Sequence, residues 1–150
     1  MNCSSNRLPI LLCALVLRFS ECVAWDHDWT VVTLARDGSW GVASHSSQPQ
    51  AMAEAIRRCK ATARDANDCG AHSAAAKGGW IVANLCGGYK LIATGISLTD
   101  AEQEALNREI SLQLFYVSDL PPCKRVVTVD PDGTIVPSNQ QFSTARERAR

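Results

Sequence analysis

Apolar residues along the chain fall into runs whose period changes from two to about three and a half and back. Residues 30–35 (TVVTLA) and 39–44 (SWGVAS) flank Asp37-Gly38. Val- and Trp-rich runs around Asp-Gly predict a hairpin. Met52, Ala55, Ile56, Cys59 and Ala63 then recur at spacings of three and four, the core-facing stripe of a helix. Ser47 and Gln50 have capping-box spacing at its start, and Pro49 is tolerated in a first turn. A polar loop at 64–68 leads to an extended segment from Cys69 to Ala76, and Lys77-Gly78-Gly79 turns the chain. Residues 80–85 and 89–95 around Gly87-Gly88 predict a second hairpin. Thr99 and Glu102 have the spacing of a second capping box. Ala101, Ala105, Leu106, Ile110 and Leu114 give that helix a broad apolar face ending near Leu114. Pro121-Pro122 stops it. Strands at 124–129 and 134–136 surround Asp130-Pro131-Asp132-Gly133, and a polar, frayed tail is expected from Pro137. The order predicts an α+β fold: one antiparallel sheet of about seven strands with two helices packed on one face.

The pattern also repeats. AMAEAIRRC at 51–59 and AEQEALNRE at 101–109 share Ala51/Ala101, Glu54/Glu104, Ala55/Ala105 and Arg58/Arg108. WTVVTL from Trp29 parallels WIVANL from Trp80, and the segment from Asp65 through Cys69 to Gly79 parallels Asp119 through Cys123 to Gly133. These matches predict an internal duplication of roughly fifty residues, with units at about 29–79 and 80–136. Each unit is expected to be a hairpin, a helix and a strand. The Glu54/Arg58 and Glu104/Arg108 pairs are expected on solvated helix faces, worth a few tenths of a kcal/mol each.

Composition changes the picture at the start of the chain. Arg7, an apolar run at 8–17 and the ending Cys22-Val23-Ala24 predict a secretory signal cut after Ala24, too short to span a bilayer. Its removal takes Lys plus Arg from 15 to 13 and Asp plus Glu from 15 to 14. A chain so close to neutral has no field to steer nucleic acid or anionic membrane. It also leaves Cys59, Cys69, Cys86 and Cys123, an even set in an exported chain, which predicts two disulfides and a periplasmic or extracellular location. Four cysteines allow three connectivities. The expected one is Cys59 with Cys69, since one ends a helix and the other lies just past its loop, leaving Cys86 with Cys123. No CxxC argues for zinc.

The Trp40-Gly41-Val42-Ala43 hairpin, an Ala- and Glu-rich helix ending in Cys59, then Cys69, then Asn84 and Cys86 leading into Ala93, resembles the bacterial exported proteins grouped as the domain of unknown function 4189 family. The resemblance covers 29–95 and implies export and disulfides. It assigns no activity and carries over no catalytic residue. The insertion between Cys59 and Cys69, and Leu85 before the third cysteine, depart from the compact pattern.

Candidate chemistry is thin. His27, His45 and His72 lack HxH or HExxH spacing, and Ser44, Ser46 and Ser47 lack a GxSxG elbow. Oxidised cysteines supply no thiolate. Asp26 with Asp28 and Asp130 with Asp132 read as solubilising or turn-forming pairs. No resident metal or cofactor is expected, although a chain starting Trp25-Asp26-His27 places an imidazole third, which suits square-planar Cu(II) or Ni(II). Trp29, Trp40, Trp80 and Tyr89, all in hairpins, are the candidate binding surface. The leading reading is therefore a non-catalytic exported binding or inhibitory module with a protein or envelope partner. Secreted β-lactamase inhibitors, which also duplicate hairpin and helix units, offer an analogy at the level of fold. An envelope hydrolase using His45 or His72 with a carboxylate, and a passive structural protein of the envelope, are the alternatives. The intact mass of the exported protein is expected to correspond to a chain starting at Trp25, and reduction with alkylation to label four thiols. A chain starting at Met1 with free thiols would contradict this.

Overall fold

The structure, a computed structural model, describes residues 27–137. The expected signal at 1–24, Trp25, Asp26 and the polar tail from 138 lie outside the described residues. Strands β1 (Trp29–Leu34) and β2 (Trp40–His45) form the first hairpin, and α1 spans Gln48–Lys60. A single 3-10 turn, Ala66–Asp68, precedes β3 (Ser73–Lys77). The chain continues through β4 (Trp80–Cys86), β5 (Tyr89–Gly95), α2 (Leu98–Phe115), β6 (Cys123–Val129) and β7 (Ile135–Val136).

The α+β class and the strand count agree with the sequence, but the layering does not. The strands form two antiparallel sheets, ordered β2-β1-β3 and β5-β4-β6-β7, instead of one. The reason lies in β1 and β4, whose consecutive apolar residues must be covered on both faces. Val32, Leu34 and Val42 of the first sheet pack directly on Ile81, Ala83, Ile92, Val127 and Val129 of the second. Residues of opposite parity point outward: Val31 and Ala43 meet Ala51 and Ala55 of α1, while Val82 and Ala93 meet Ala101 and Ala105 of α2. The layers run helix, sheet, sheet, helix. The helices therefore lie on opposite outer faces, not together on one.

Small residues let both helices approach their sheets closely. A Cβ on Gly41 of β2 would stand 1.9 Å from the Ala55 carbonyl oxygen, and one on Gly95 would stand 2.3 Å from the Ala101 nitrogen. Of the predicted α1 stripe, Ala55 and Cys59 are buried with Ala51, whereas Met52, Ile56 and Ala63 are half-buried. Ser47 is the N-cap of α1 but makes no side-chain cap bond, so the expected capping box with Gln50 is not formed. The α2 box is formed by Ser97 and Asp100, not Thr99 and Glu102: Asp100 N–H donates to Ser97 Oγ at 3.1 Å. The helix starts earlier because Ser97 is the residue that has extended backbone.

Both expected disulfides are present, Cys59–Cys69 and Cys86–Cys123. The first ties the end of α1 to the loop beyond the 3-10 turn. The second joins residues directly opposite each other on β4 and β6. Closing these loops contributes about 3 and about 4 kcal/mol on chain-entropy grounds.

Gly41→Ala is expected to destabilise the fold by about 2 kcal/mol or more, because backbone must yield. Gly88→Ala, with nothing within 4 Å of its Cβ position, should change stability by less than about 0.5 kcal/mol. Equal urea midpoints for the two variants would contradict this packing.

Candidate functional site

The longer helix carries the most exposed apolar cluster. It turns back along β5, where Arg108 Nη1 donates to the Ile92 carbonyl at 2.6 Å. Beyond that bond, six helical residues advance about 9 Å and three strand residues about 10 Å. Leu114 and Tyr89 are thereby brought to the same end of the molecule. With 18 residues against 13, α2 is the longer helix. Leu114, Phe115 and Tyr116 are 71%, 74% and 81% exposed, and Ile110 and Tyr89 are each 44% exposed. Ile110 and Leu114 were expected on the core face. The helical period continues the core stripe to them, but the structure leaves both exposed. Glu109, beside this cluster in sequence, has its carboxyl pushed above the usual carboxylate range by burial.

The predicted aromatic surface divides. Trp29 packs with Val31, Ala51 and Ala55, Trp40 with the core between the sheets, and Trp80 with Val82, Ala101 and Ala105. These three half-buried rings serve three different layers, and only Tyr89 stands at the exposed end.

The histidines are equally dispersed. His45 Nδ1 lies 3.3 Å from Ser46 Oγ and from the Ser47 nitrogen, with no carboxylate in that contact. His72 is held below its ordinary imidazole value, first by burial and then by the charges of Lys90 and Arg108. His27 Nδ1 meets Asp132 Oδ1 at 3.4 Å in a cleft of about 530 Å³ also lined by Lys77, Gly78 and Pro131. Ser44 Oγ bonds to Thr30 Oγ1 at 2.8 Å. Among the described residues, no group of three or more His, Cys, Asp or Glu could hold a metal ion, and no helix is long and apolar enough to cross a membrane.

Two polar clusters escaped the sequence reading. Lys90 Nζ of β5 donates to Asp68 Oδ1 at 2.6 Å, both side chains being largely buried at 11% and 17% exposure. The Arg36 N–H donates to the same carboxylate. This ion pair ties the loop before β3 to the second sheet. In the other cluster, Arg125 Nε donates to Asn84 Oδ1 at 2.7 Å and Nη1 to Thr128 Oγ1 at 3.0 Å, with Glu102 at 3.5 Å. Asn84 in the otherwise apolar WIVANLC strand was the available signal. Nothing comparable marked Asp68.

The Asp68 carboxyl is held below its ordinary value chiefly by the Lys90 bond and then by the Arg36 N–H. A lowered folded pKa adds stability above the unfolded value near 3.8 and loses it as pH falls through the folded value. Asp68→Asn is therefore expected to lower the melting temperature at pH 7 and to reduce the loss seen on acidification below about pH 4. Parallel melting curves for variant and parent across that range would contradict the assignment.

No family model, no curated protein and no solved structure matches this chain.

Proposed function

We propose that this chain is a small exported recognition module, of binding or inhibitory role, whose contact surface is the exposed C-terminal end of α2 with Tyr89. The observation that carries the reading is the exposure of Leu114, Phe115 and Tyr116 beside half-exposed Ile110 and Tyr89. Clustered exposed apolar and aromatic side chains are costly to solubility and characteristic of protein contacts. The partner is a macromolecule of the cell envelope or the extracellular space. Export rests on the charged and apolar start, the small residues before Trp25, and two disulfides, which persist in oxidising compartments. The resemblance to the domain of unknown function 4189 family points the same way.

The module arose by duplication of one hairpin-helix-strand unit. Supporting this, the orders β2-β1-β3 and β5-β4-β6 share one connectivity, with a helix leading into the third strand of each. Trp29 stands opposite His45 as Trp80 stands opposite Gly95. Arg58 Nη1 donates to the Val42 carbonyl as Arg108 Nη1 donates to that of Ile92. The cysteines do not follow the repeat, since Cys69 pairs with a helix and Cys123 with a strand.

A hydrolase is the second reading, favoured only by the His27 and Asp132 contact. An Asp132→Asn variant with unchanged ester hydrolysis would remove it.

For the first reading, a photo-crosslinking phenylalanine analogue at position 115 is expected to capture a discrete partner in intact cells. The same group at position 57, on the exposed face of α1, is expected to capture only background. Equal patterns from both positions would sink the proposal.

A further inference from the structure

Both sheets end in edges, and an edge strand presents unpaired N–H and C=O groups that invite another strand. Three of the edges carry a device against this. On β2, the Val42 carbonyl accepts from Arg58 Nη1 at 2.7 Å. On β5, the Ile92 carbonyl accepts from Arg108 Nη1 at 2.6 Å. On the second sheet's other side, β7 covers β6 and is itself only two residues long. The remaining edge is β3, with the sequence SAAAK, and among the described residues no strand pairs with its outer side.

The register shows which groups that edge offers. Leu34 N–H donates to the His72 carbonyl at 3.1 Å, and this pair continues the β1–β3 register, in which Val32 opposes Ala74 and Val31 opposes Ala75. Bonded and non-bonded pairs alternate in an antiparallel ladder. Ala74 and Ala76 therefore bond to β1, whereas Ser73 and Ala75 direct their N–H and C=O groups outward. Ala74 and Ala76 pack toward the core between the sheets and Ala75 toward α1, and all three are half-buried.

We propose that this edge is where two copies of the chain join, β3 pairing antiparallel with its symmetry mate about Ala75. Strand addition gains affinity from main-chain bonds and selectivity from side-chain pockets. A run of Ser and Ala offers no such pockets, so it selects poorly among foreign strands. Its self-pairing is well matched: Ala75 faces Ala75, Ser73 faces Lys77, and no like charges stand opposite each other. A single two-fold contact is isologous and closes at a dimer, and the guarded β2 and β5 edges prevent further growth. The product is a continuous six-stranded sheet, β2-β1-β3 and its mate, carrying α1 of both copies on one face.

The test uses the unaltered exported protein. Sedimentation is expected to give twice the chain mass at high micromolar concentration, and the Ser73 and Ala75 amides to exchange slowly there and rapidly on dilution. Ala75→Pro removes only an outward N–H, which an edge strand tolerates. It is expected to keep both disulfides and the parent circular dichroism while weakening association by at least about tenfold. A monomer at every concentration with fast exchange at both amides overturns the proposal. So does a dimer that survives Ala75→Pro but is lost with Leu114→Asp, which would assign self-association to the α2 end. Protection of the two amides that persists on dilution overturns it too, assigning the edge to another segment or another protein. Because the exchange experiment needs no variant, misfolding of Ala75→Pro leaves the proposal testable.

Discussion

The architecture depends on strands that are apolar on both faces. Val31, Val32 and Leu34 of β1, and Ile81, Val82 and Ala83 of β4, are all fully buried. Neither sheet can exist with a solvated face, so each must acquire a second sheet inside and a helix outside. Burying a side chain such as Val or Leu is worth about 1.5–3 kcal/mol. An exposed ion pair is worth less, typically about 1 kcal/mol or below. Ala51, Ala55, Ala101 and Ala105 stand at the helix contacts, where small side chains let each helix lie close to its sheet.

Within this frame the charged residues act on the backbone. Glu54 accepts from Arg57 and from Arg58, which hold its carboxyl down to about 2. Arg58 also reaches the Val42 carbonyl, and Arg108, paired with Glu104, reaches that of Ile92. What read as solvated i,i+4 pairs are two-part devices, in which a glutamate steadies a guanidinium that caps a sheet edge. Lys90 and Asp68 serve a different purpose, pinning the loop closed by the first disulfide to the facing sheet. Among the described residues, no buried side-chain nitrogen or oxygen lacks a partner.

The polar groups are thus largely committed to holding the fold, and this bears on function. The half-buried tryptophans belong to the packing between layers. The longer α2, by contrast, ends in exposed apolar side chains, and β3 ends the first sheet with backbone groups turned outward. The two features face different kinds of contact, one made by side chains and one by main chain. The proposed recognition role and the proposed dimer can therefore coexist on one molecule.

The sequence by itself determined the elements, the hairpins and the α+β class, because these rest on local period and turn chemistry; of three possible cysteine connectivities it made one the expected choice, and the structure decided it. Asp37-Gly38 and Gly87-Gly88 turn where such residues turn, and Cys59 reaches Cys69 across a gap of 10 residues. Only the tertiary structure decided that seven strands divide into two sheets, since a strand apolar on both faces does not reveal what covers each face. It also decided which of four hairpin aromatics would be exposed, because Trp29, Trp40 and Trp80 differ in the layer they meet and not in local pattern. The exposed end of α2 was legible as apolar and illegible as exposed: helical period gives direction around an axis and does not tell how far along it other elements cover the helix.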